Sequence, residues 1–337
     1  MSKQSNTEQK PVLVFTGPTG CGKTALCEAL FMGAGAFRPA EIISADSMQV
    51  YRGMDIGTAK PSPAARALLP HHLIDIREPS EQFNAGDFTR LAREACAEAE
   101  ARGKLPVVCG GSFFYLANLI GGLPAAPPAS AAVRETLKNA LAEKGAAALM
   151  EELSRCDAES AARIHIHDEY RLLRALEVYR ISGRPLSAFR QSGKIGGGGE
   201  GADTAEAPRF VTVVLECERP VLYERINARA AAMMRQGLAG EAAALYRRGL
   251  TPDAPGLKAI GYHEFFCKDE NNGWRFLLED GREKEIEALI AQNTRRYAKR
   301  QMTWMRSITP HIRVQISPGG FAKALDSLKR FMDSYGL

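Results

Sequence analysis

The chain has 337 residues, of which 45% are hydrophobic and 25% are charged, and its net charge is +5 at pH 7. This composition is typical of a globular protein of about two domains and excludes a disordered or fibrous chain. Apolar runs fall short of the roughly 18 residues that cross a membrane, and residues 1–10 lack a signal-peptide core, so we expect a cytoplasmic protein without membrane contacts. The cysteines are scattered without C-x-x-C spacing, which argues against a disulfide framework or a structural zinc site.

Short apolar runs alternate with helical patterns in the first third of the chain. The predicted strands are Pro11–Thr16, Glu41–Ala45, Leu73–Ile76 and Leu105–Cys109, and the predicted helices are Lys23–Leu30 and Phe88–Arg102. Strands that alternate with helices indicate a parallel sheet. The sequence therefore predicts an α/β fold with a core like that of the P-loop NTPases.

The pattern changes after residue 122. Residues 123–131 are rich in proline and alanine, residues 132–183 look helical throughout, and residues 192–202 form a glycine-rich stretch. A strand-like run returns at Phe210–Glu216, and mostly helical patterns follow it. We therefore predict an inserted all-helical domain over residues 123–204, within an α/β core made of residues 11–122 and 205–337.

Residues 17–24 fit the phosphate-loop pattern G-x-x-x-x-G-K-[ST], between a predicted strand and a predicted helix. The loop consists of Gly17, Pro18, Thr19, Gly20, Cys21, Gly22, Lys23 and Thr24. Its backbone N–H groups hold phosphate oxygens at the positive end of a helix. Lys23 adds a cation, and the hydroxyl of Thr24 is suited to bind Mg²⁺. The motif predicts binding of a diphosphate or of a nucleotide such as ATP, without implying hydrolysis.

Two further polar segments follow predicted strands, at the sheet edge where ligands of α/β proteins bind. Asp46 is placed either to act as a base or metal ligand, or to serve as a turn or cap residue. Ser112 follows Gly110 and Gly111, where its hydroxyl either faces the phosphates or belongs to a plain glycine turn. From the residues alone, both alternatives stay open at both positions.

Two helical segments carry rows of basic side chains. The first, Thr294–Arg306, has no acidic residue and carries Arg295, Arg296, Lys299, Arg300 and Arg306. The second carries Arg171, Arg174, Arg180 and Arg184. Such a stripe suits a phosphate backbone, although it is also typical of a solvated surface. Tyr297 and Trp304 in the first segment suit either base stacking or core packing.

Several segments occur in the order found in bacterial tRNA dimethylallyltransferases, and residues 11 to 306 resemble that family. The segments are GPTGCGKT, SADSMQVYRGMDIGTAKP, HHLIDI, PVVCGGSFFY, RLLRALEVYRISGRP, AIGY and KRQMTWMR. The resemblance implies that a dimethylallyl group moves from dimethylallyl diphosphate to the exocyclic amine of the adenosine 3′-adjacent to the anticodon, giving isopentenyladenosine and diphosphate. The implied partner is the anticodon stem-loop of tRNAs that read codons beginning with U, and we expect a monomer.

The same resemblance implies roles for individual residues. Asp46 matches the general base that accepts the amine proton. Ser112 stands where the family usually has threonine, whose hydroxyl contacts the bridging oxygen of the diphosphate, and Mg²⁺ is the implied cofactor. The resemblance and the basic stripe together predict tRNA contacts at Asp46, Ser47, Met48, Gln49, Ser112, Arg134, Tyr170, Arg171, Leu172, Leu173, Arg174, Lys258, Gly261, Tyr262, Arg295, Arg296, Lys299, Arg300 and Arg306. At Tyr170 this chain departs from the family, which usually has glutamine there.

Three other functions are compatible with some of these motifs. A kinase of a small metabolite would use the same phosphate loop and Asp46, but it needs neither basic stripes nor a helical insertion. An adenylate isopentenyltransferase would use the same donor on free nucleotides without an RNA surface. A non-catalytic, nucleotide-dependent RNA-binding switch would transfer no prenyl group at all.

Overall fold

The structure is a computed structural model that describes residues 11–33, 36–122, 126–189 and 209–337. The chain divides into two compact units, Met1–Gly122 with Lys194–Leu337 and Leu123–Gly193. The glycine-rich stretch predicted at 192–202 lies outside the described residues. In the described part of the chain, every helix is too short or too polar to span a lipid bilayer.

The first unit is built on a six-stranded sheet with the order β3-β2-β4-β1-β5-β8, and each neighbouring pair is parallel. Its strands are β1 (Pro11–Thr16), β2 (Ala40–Ser44), β3 (His71–His72), β4 (Leu105–Gly110), β5 (Arg209–Glu216) and β8 (Ile312–Gln315). An antiparallel hairpin, which the sequence interpretation missed, pairs β6 (Phe266–Lys268) with β7 (Trp274–Phe276). The predicted α/β fold with a parallel core is confirmed.

Eleven α-helices occur among the described residues. They are α1 (Lys23–Phe31), α2 (Pro63–Leu68), α3 (Ala85–Ala101), α4 (Phe113–Gly121), α5 (Ala131–Cys156), α6 (Ala158–Ala161), α7 (Glu169–Ser182), α8 (Arg219–Arg235), α9 (Leu238–Arg247), α10 (Glu283–Met305) and α11 (Phe321–Ser334). Alternate residues of β1 enter two hydrophobic cores, with Val12 and Val14 in one and Leu13 and Phe15 in the other. Because both faces of β1 are covered, the strand is an unbroken apolar run in the sequence.

The third strand lies two residues earlier than predicted. His71 and His72 pair with β2, whereas the predicted strand Leu73–Ile76 is wrong. Leu73 and Asp75 have φ values of 62° and 58°, in the left-handed region, so the chain cannot continue as a strand. The Asp75 carboxylate accepts hydrogen bonds from Lys60 Nζ (2.6 Å) and Arg66 Nη1 (2.8 Å), which stabilise this turn.

The second unit contains α5, α6 and α7, and residues 126–189 include no strand. Its core is formed by leucines of α5 and α7. Leu172 and Leu173 belong to that core, where they are 0% and 6% exposed. These two side chains therefore pack inside the unit, which corrects the expectation of a tRNA contact for the side chains and leaves it a prediction for the backbone.

Candidate active site at the carboxyl edge of the sheet

The three predicted phosphate and catalytic segments follow β1, β2 and β4, which are neighbours in the sheet. Ser112 N donates to Ala45 O (3.2 Å), and Ser47 N donates to Ser112 Oγ (3.0 Å), so hydrogen bonds join the two turns. A Cβ atom at Gly110 would lie 2.1 Å from Ala45 O, so only glycine fits where these two segments approach each other. The structure thus brings the phosphate loop, Asp46 and Ser112 to one edge.

The phosphate loop has the backbone that the motif predicts. Gly20 and Gly22 have φ values of 83° and 101°, which only glycine adopts readily, and α1 begins immediately afterwards at Lys23. Lys23 Nζ donates to Gly17 O (2.8 Å) and Pro18 O (2.9 Å), so the ammonium group is held across the loop. The Cys21 side chain is fully buried, whereas Thr24 is exposed at the start of α1.

Asp46 is both a turn residue and a side chain of the cavity. Its Oδ1 atom accepts hydrogen bonds from Met48 N (2.8 Å) and Gln49 N (3.3 Å). Across the described residues, Oδ2 accepts no hydrogen bond. One carboxylate oxygen is therefore fixed by the backbone while the other remains able to take a proton from a ligand.

Asp46 lines a cavity of about 230 Å³ within the first unit. The polar part of its wall includes Thr19, Asp46, Ser47, Lys258, Thr294 and Tyr297. The apolar part includes Met48, Ile226, Ala230, Met233, Ile260 and Ile290. A cavity with a few polar groups on an apolar wall suits a ligand that has both a charged group and a hydrocarbon chain.

Two cavity residues were not assigned a catalytic or donor-binding role from the sequence. Arg229 on α8 lines the cavity and forms no ion pair with any described residue; burial lowers the pKa of its guanidinium, and the nearby charge of Asp46 opposes that shift. Tyr297 on α10 lines it as well, and burial raises the pKa of its phenol to about 12. No motif surrounds Arg229, so only the packing of α8 against this edge identifies it.

Other predicted RNA-contact positions in the first unit separate into two groups. Ser47, Met48 and Lys258 line the cavity. Gln49 instead accepts from Ser44 Oγ (2.9 Å) and donates to Thr58 O (3.2 Å), so its amide is used inside the protein.

Tyr262 was predicted to contact tRNA, and its burial corrects that expectation for the side chain. The ring is 0% exposed, and its hydroxyl donates to Glu241 Oε1 (2.6 Å). The preceding Gly261 has a φ value of 100°, which glycine adopts without strain. This segment therefore shapes the loop beside the cavity through its backbone.

The basic stripe of α10 faces solvent. Arg296, Lys299, Arg300 and Arg306 are exposed, and within the described part of the chain none of the four has a carboxylate partner. Arg295 donates to Asn227 Oδ1. Trp304 is 56% exposed and stacks on Phe113, with ring centroids 5.0 Å apart.

Most basic side chains of the second unit are neutralised locally. Arg134 and Arg174 donate to the fully buried carboxylate of Glu177, at 2.6 and 2.8 Å. Arg171 pairs with Asp168, and Arg180 pairs with Glu152. Tyr170 is 68% exposed beneath the guanidinium of Arg134, which lies 5.4 Å from the ring centroid.

Known proteins resemble the chain over most of its length. Residues 49–308 match the family model described as IPP transferase. A tRNA dimethylallyltransferase from Halorhodospira halophila is 44% identical over 307 residues, which are 90% of this chain and 92% of the relative. The crystal structure of the full-length tRNA isopentenylpyrophosphate transferase from Bacillus halodurans is 34% identical, covers 97% of this chain and 96% of its own, and has a TM-score of 0.64.

A third comparison concerns the fold alone. A eukaryotic dimethylallyltransferase whose crystal structures capture it acting on tRNA is 24% identical, covers 91% of this chain and 74% of its own, and has a TM-score of 0.70. Because the family model matches residues 49–308 and the Halorhodospira halophila relative is 44% identical over 90% of this chain, the chain belongs to the IPP transferase family.

Proposed function

We propose that the chain is a tRNA dimethylallyltransferase, which transfers a dimethylallyl group from dimethylallyl diphosphate to the exocyclic amine of the adenosine 3′-adjacent to the anticodon. The observation that carries this proposal is the cavity in which Asp46, the phosphate-loop residue Thr19 and an apolar wall meet. The names of the relatives, which are tRNA dimethylallyltransferases and tRNA isopentenylpyrophosphate transferases, support the same activity.

In this proposal, the donor takes one orientation in the cavity. Its diphosphate lies against the phosphate loop, where backbone N–H groups, the start of α1 and Lys23 attract negative charge. Arg229 adds a second cation, which forms no ion pair with a described carboxylate. The five-carbon chain then lies against the apolar wall, which includes Ile226, Met233 and Ile290. These fixed charges act where negative charge grows as the diphosphate departs.

Magnesium is the cofactor that we propose for this site. The described residues contain no group of three or more His, Cys, Asp and Glu side chains that could hold a metal by themselves. Mg²⁺ commonly binds through substrate phosphates, water and one or two protein oxygens, and the exposed Thr24 hydroxyl suits that arrangement. When bound, it neutralises charge on the departing diphosphate.

The chemistry needs a base because the amine lone pair of adenine is delocalised into the ring. In the proposed step, the C–O bond to the diphosphate breaks, the amine nitrogen bonds to the allylic carbon, and Asp46 Oδ2 accepts the amine proton. Ser112 Oγ accepts from Ser47 N (3.0 Å), and its O–H, which lies beside the Tyr297 hydroxyl, rotates to donate to the bridging oxygen of the diphosphate. The adenine must leave its stack to reach the cavity, at a cost of a few kcal/mol.

The outer face of α10 is the tRNA surface in this proposal. Its exposed cations suit the phosphates of the anticodon stem-loop, and the exposed ring of Trp304 suits an unstacked base. We further propose that the second unit is the inserted helical domain predicted for residues 123–204. The monomeric state and the cytoplasmic location remain predictions from the sequence.

The test is a comparison of acceptors. Wild-type protein is incubated with Mg²⁺ and labelled dimethylallyl diphosphate, and either unmodified tRNA or AMP is added. We expect label in tRNA and none in AMP. Label in AMP would instead identify an adenylate isopentenyltransferase. Phosphorylation of a small acceptor by ATP, without prenyl transfer, would identify a kinase.

A further inference from the structure

A buried glutamine of α10 connects two sides of the phosphate site. Gln301 is 5% exposed and lies between Arg300 and Arg306, which the resemblance predicts as tRNA contacts. Its Oε1 atom accepts a hydrogen bond from Thr19 N (2.8 Å), and its Nε2 atom donates to Gly111 O (2.8 Å). Its side chain therefore points away from the RNA surface and into the protein.

The chemistry of both partners fixes the orientation of this amide. Thr19 N can only donate and Gly111 O can only accept, so the side-chain oxygen must face the phosphate loop. A Cβ atom at residue 111 would lie 2.3 Å from Nε2, so the close approach of Gln301 needs glycine there. Tyr297, one helical turn earlier, also donates to Gly111 O at 3.5 Å.

These two bonds set the distance between groups that act on the same diphosphate. Thr19 belongs to the phosphate loop, and Gly111 directly precedes Ser112, whose hydroxyl donates to the bridging oxygen in the proposed mechanism. The helix that supplies Gln301 also carries the exposed cations Arg296 and Arg300. A single rigid helix thus connects the basic surface with the phosphate site.

We propose that Gln301 is a positioning residue for prenyl transfer, which holds the phosphate loop and the Gly110–Ser112 turn in register. This inference rests on the proposed function. Loss of its two hydrogen bonds misplaces Thr19 and Ser112 relative to the diphosphate. The expected result is a lower transfer rate and weaker diphosphate binding, with tRNA affinity unchanged.

Gln301→Glu gives a test with a distinctive pH profile. A protonated carboxyl has the shape of the amide, accepts from Thr19 N and donates to Gly111 O, whereas the ionised form repels Gly111 O. Burial raises the pKa of a carboxyl, so this change falls within reach of neutral pH. The single-turnover rate of the variant, divided by that of wild type at each pH, should fall about tenfold per pH unit above the pKa of the new carboxyl.

Two further variants complete the design. Gln301→Met keeps the volume but forms neither bond, so its rate relative to wild type should be low at every pH. Gln82→Glu makes the same chemical change at an exposed position before α3 and should behave as wild type. Circular dichroism identifies any variant that does not fold. If Gln301→Met is unfolded, the pH profile of Gln301→Glu alone decides.

Calorimetry with inorganic diphosphate and a tRNA-binding assay distinguish a failure of the positioning role of Gln301 from a failure of the proposed prenyl transfer. Weaker diphosphate binding by Gln301→Glu at high pH, with unchanged tRNA affinity, supports the positioning role even if wild type transfers no prenyl group. Wild-type transfer rates and diphosphate affinities in both Gln301 variants would overturn it. Loss of tRNA affinity in the same proportion as transfer would overturn it as well, because Gln301 would then act as an RNA contact.

Discussion

Charged side chains at the candidate active site are held by hydrogen bonds, whereas those on the outer face of α10 are exposed, although α10 contributes residues to both regions. At the carboxyl edge of the sheet, Asp46 accepts hydrogen bonds from two backbone amides, and Lys23 donates to two carbonyl oxygens of the phosphate loop. On the outer face, Arg296, Lys299 and Arg300 are exposed and lack carboxylate partners within the described residues. Fixed charges suit a reaction that needs exact placement, whereas free cations suit attraction of a phosphate backbone. Chemistry and affinity should therefore be separable by substitution.

The basic stripe of α7 differs from that of α10 in how its charges are paired. Helix α7 also carries a row of arginines, yet Arg171, Arg174 and Arg180 each pair with an acidic side chain. A pattern of cations in the sequence thus does not reveal how much of their charge is free. The predictions below run from the largest expected effect on the transfer step to the smallest.

Asp46→Asn should separate chemistry from binding most strongly. Asparagine can still accept hydrogen bonds from Met48 N and Gln49 N, so the turn is kept, but it cannot take the amine proton at neutral pH. We expect single-turnover transfer to fall at least about a hundredfold, while tRNA affinity stays within about twofold. The matched control is Asp333→Asn, which changes an exposed carboxylate of α11. Near-wild-type transfer would remove Asp46 as the base.

Lys23→Ala should affect use of the donor. The variant loses a cation that is held at the phosphate loop, so we expect the KM for dimethylallyl diphosphate to rise about tenfold to a hundredfold. Initial rates over a range of donor concentrations measure this effect, and filter binding follows tRNA. Lys323→Ala, at an exposed position of α11, is the control. An unchanged donor KM would contradict the assignment of the phosphate site.

The rate of prenyl transfer should depend on the hydroxyl group of Ser112. Ser112→Ala removes both the acceptor for Ser47 N and the proposed donor to the leaving group, so we expect about a tenfold loss of transfer rate. Ser112→Thr keeps the hydroxyl and should retain most of the activity. Single-turnover rates measure both variants. An inactive threonine variant, with the alanine variant active, would argue against a hydroxyl at the bridging oxygen.

Substitutions in the two basic stripes should differ in their effect on the salt dependence of tRNA binding, whereas neither should change the rate of prenyl transfer. Replacing Arg296 and Arg300 with alanine should flatten the slope of log affinity for tRNA against log salt by more than one unit, at about 0.7 to 0.9 per phosphate contact. Replacing Arg171 and Arg180, which already form ion pairs with acidic side chains, should flatten this slope by less than half as much. At saturating tRNA, both double variants should transfer the prenyl group at the wild-type rate. Equal slopes for the two double variants would contradict the prediction that the arginines of α10 contact more phosphates than those of α7.

Local patterns in the sequence were enough to predict the core and the edge where the site lies. The phosphate loop, Asp46 and Ser112 each follow an apolar run, and parallel strands place such segments side by side. The turn at Leu73–Ile76 was mistaken for a strand because its apolar pattern looks extended. Its left-handed residues depend on ion pairs from Lys60 and Arg66, which periodicity does not reveal.

The contacts that the sequence did not predict join distant segments. Tyr262 was predicted to contact tRNA, whereas its hydroxyl donates to Glu241 and its ring is buried. Gln301 lies in a basic segment, and only the tertiary structure places it against Thr19 and Gly111. Arg229 has no motif around it and reaches the cavity because α8 packs there. Such residues are defined by packing and not by spacing.

Nucleoside analysis of the product tests the central claim most directly. Unmodified tRNA is incubated with wild-type protein, Mg²⁺ and dimethylallyl diphosphate, then digested and analysed by mass spectrometry. The account predicts one dimethylallyl group, on the exocyclic amine of the adenosine 3′-adjacent to the anticodon. A parallel tRNA with purine riboside at that position, which lacks the amine, should bind but remain unmodified. Unchanged tRNA in the first reaction, or a prenyl group at another nucleoside, would contradict the account.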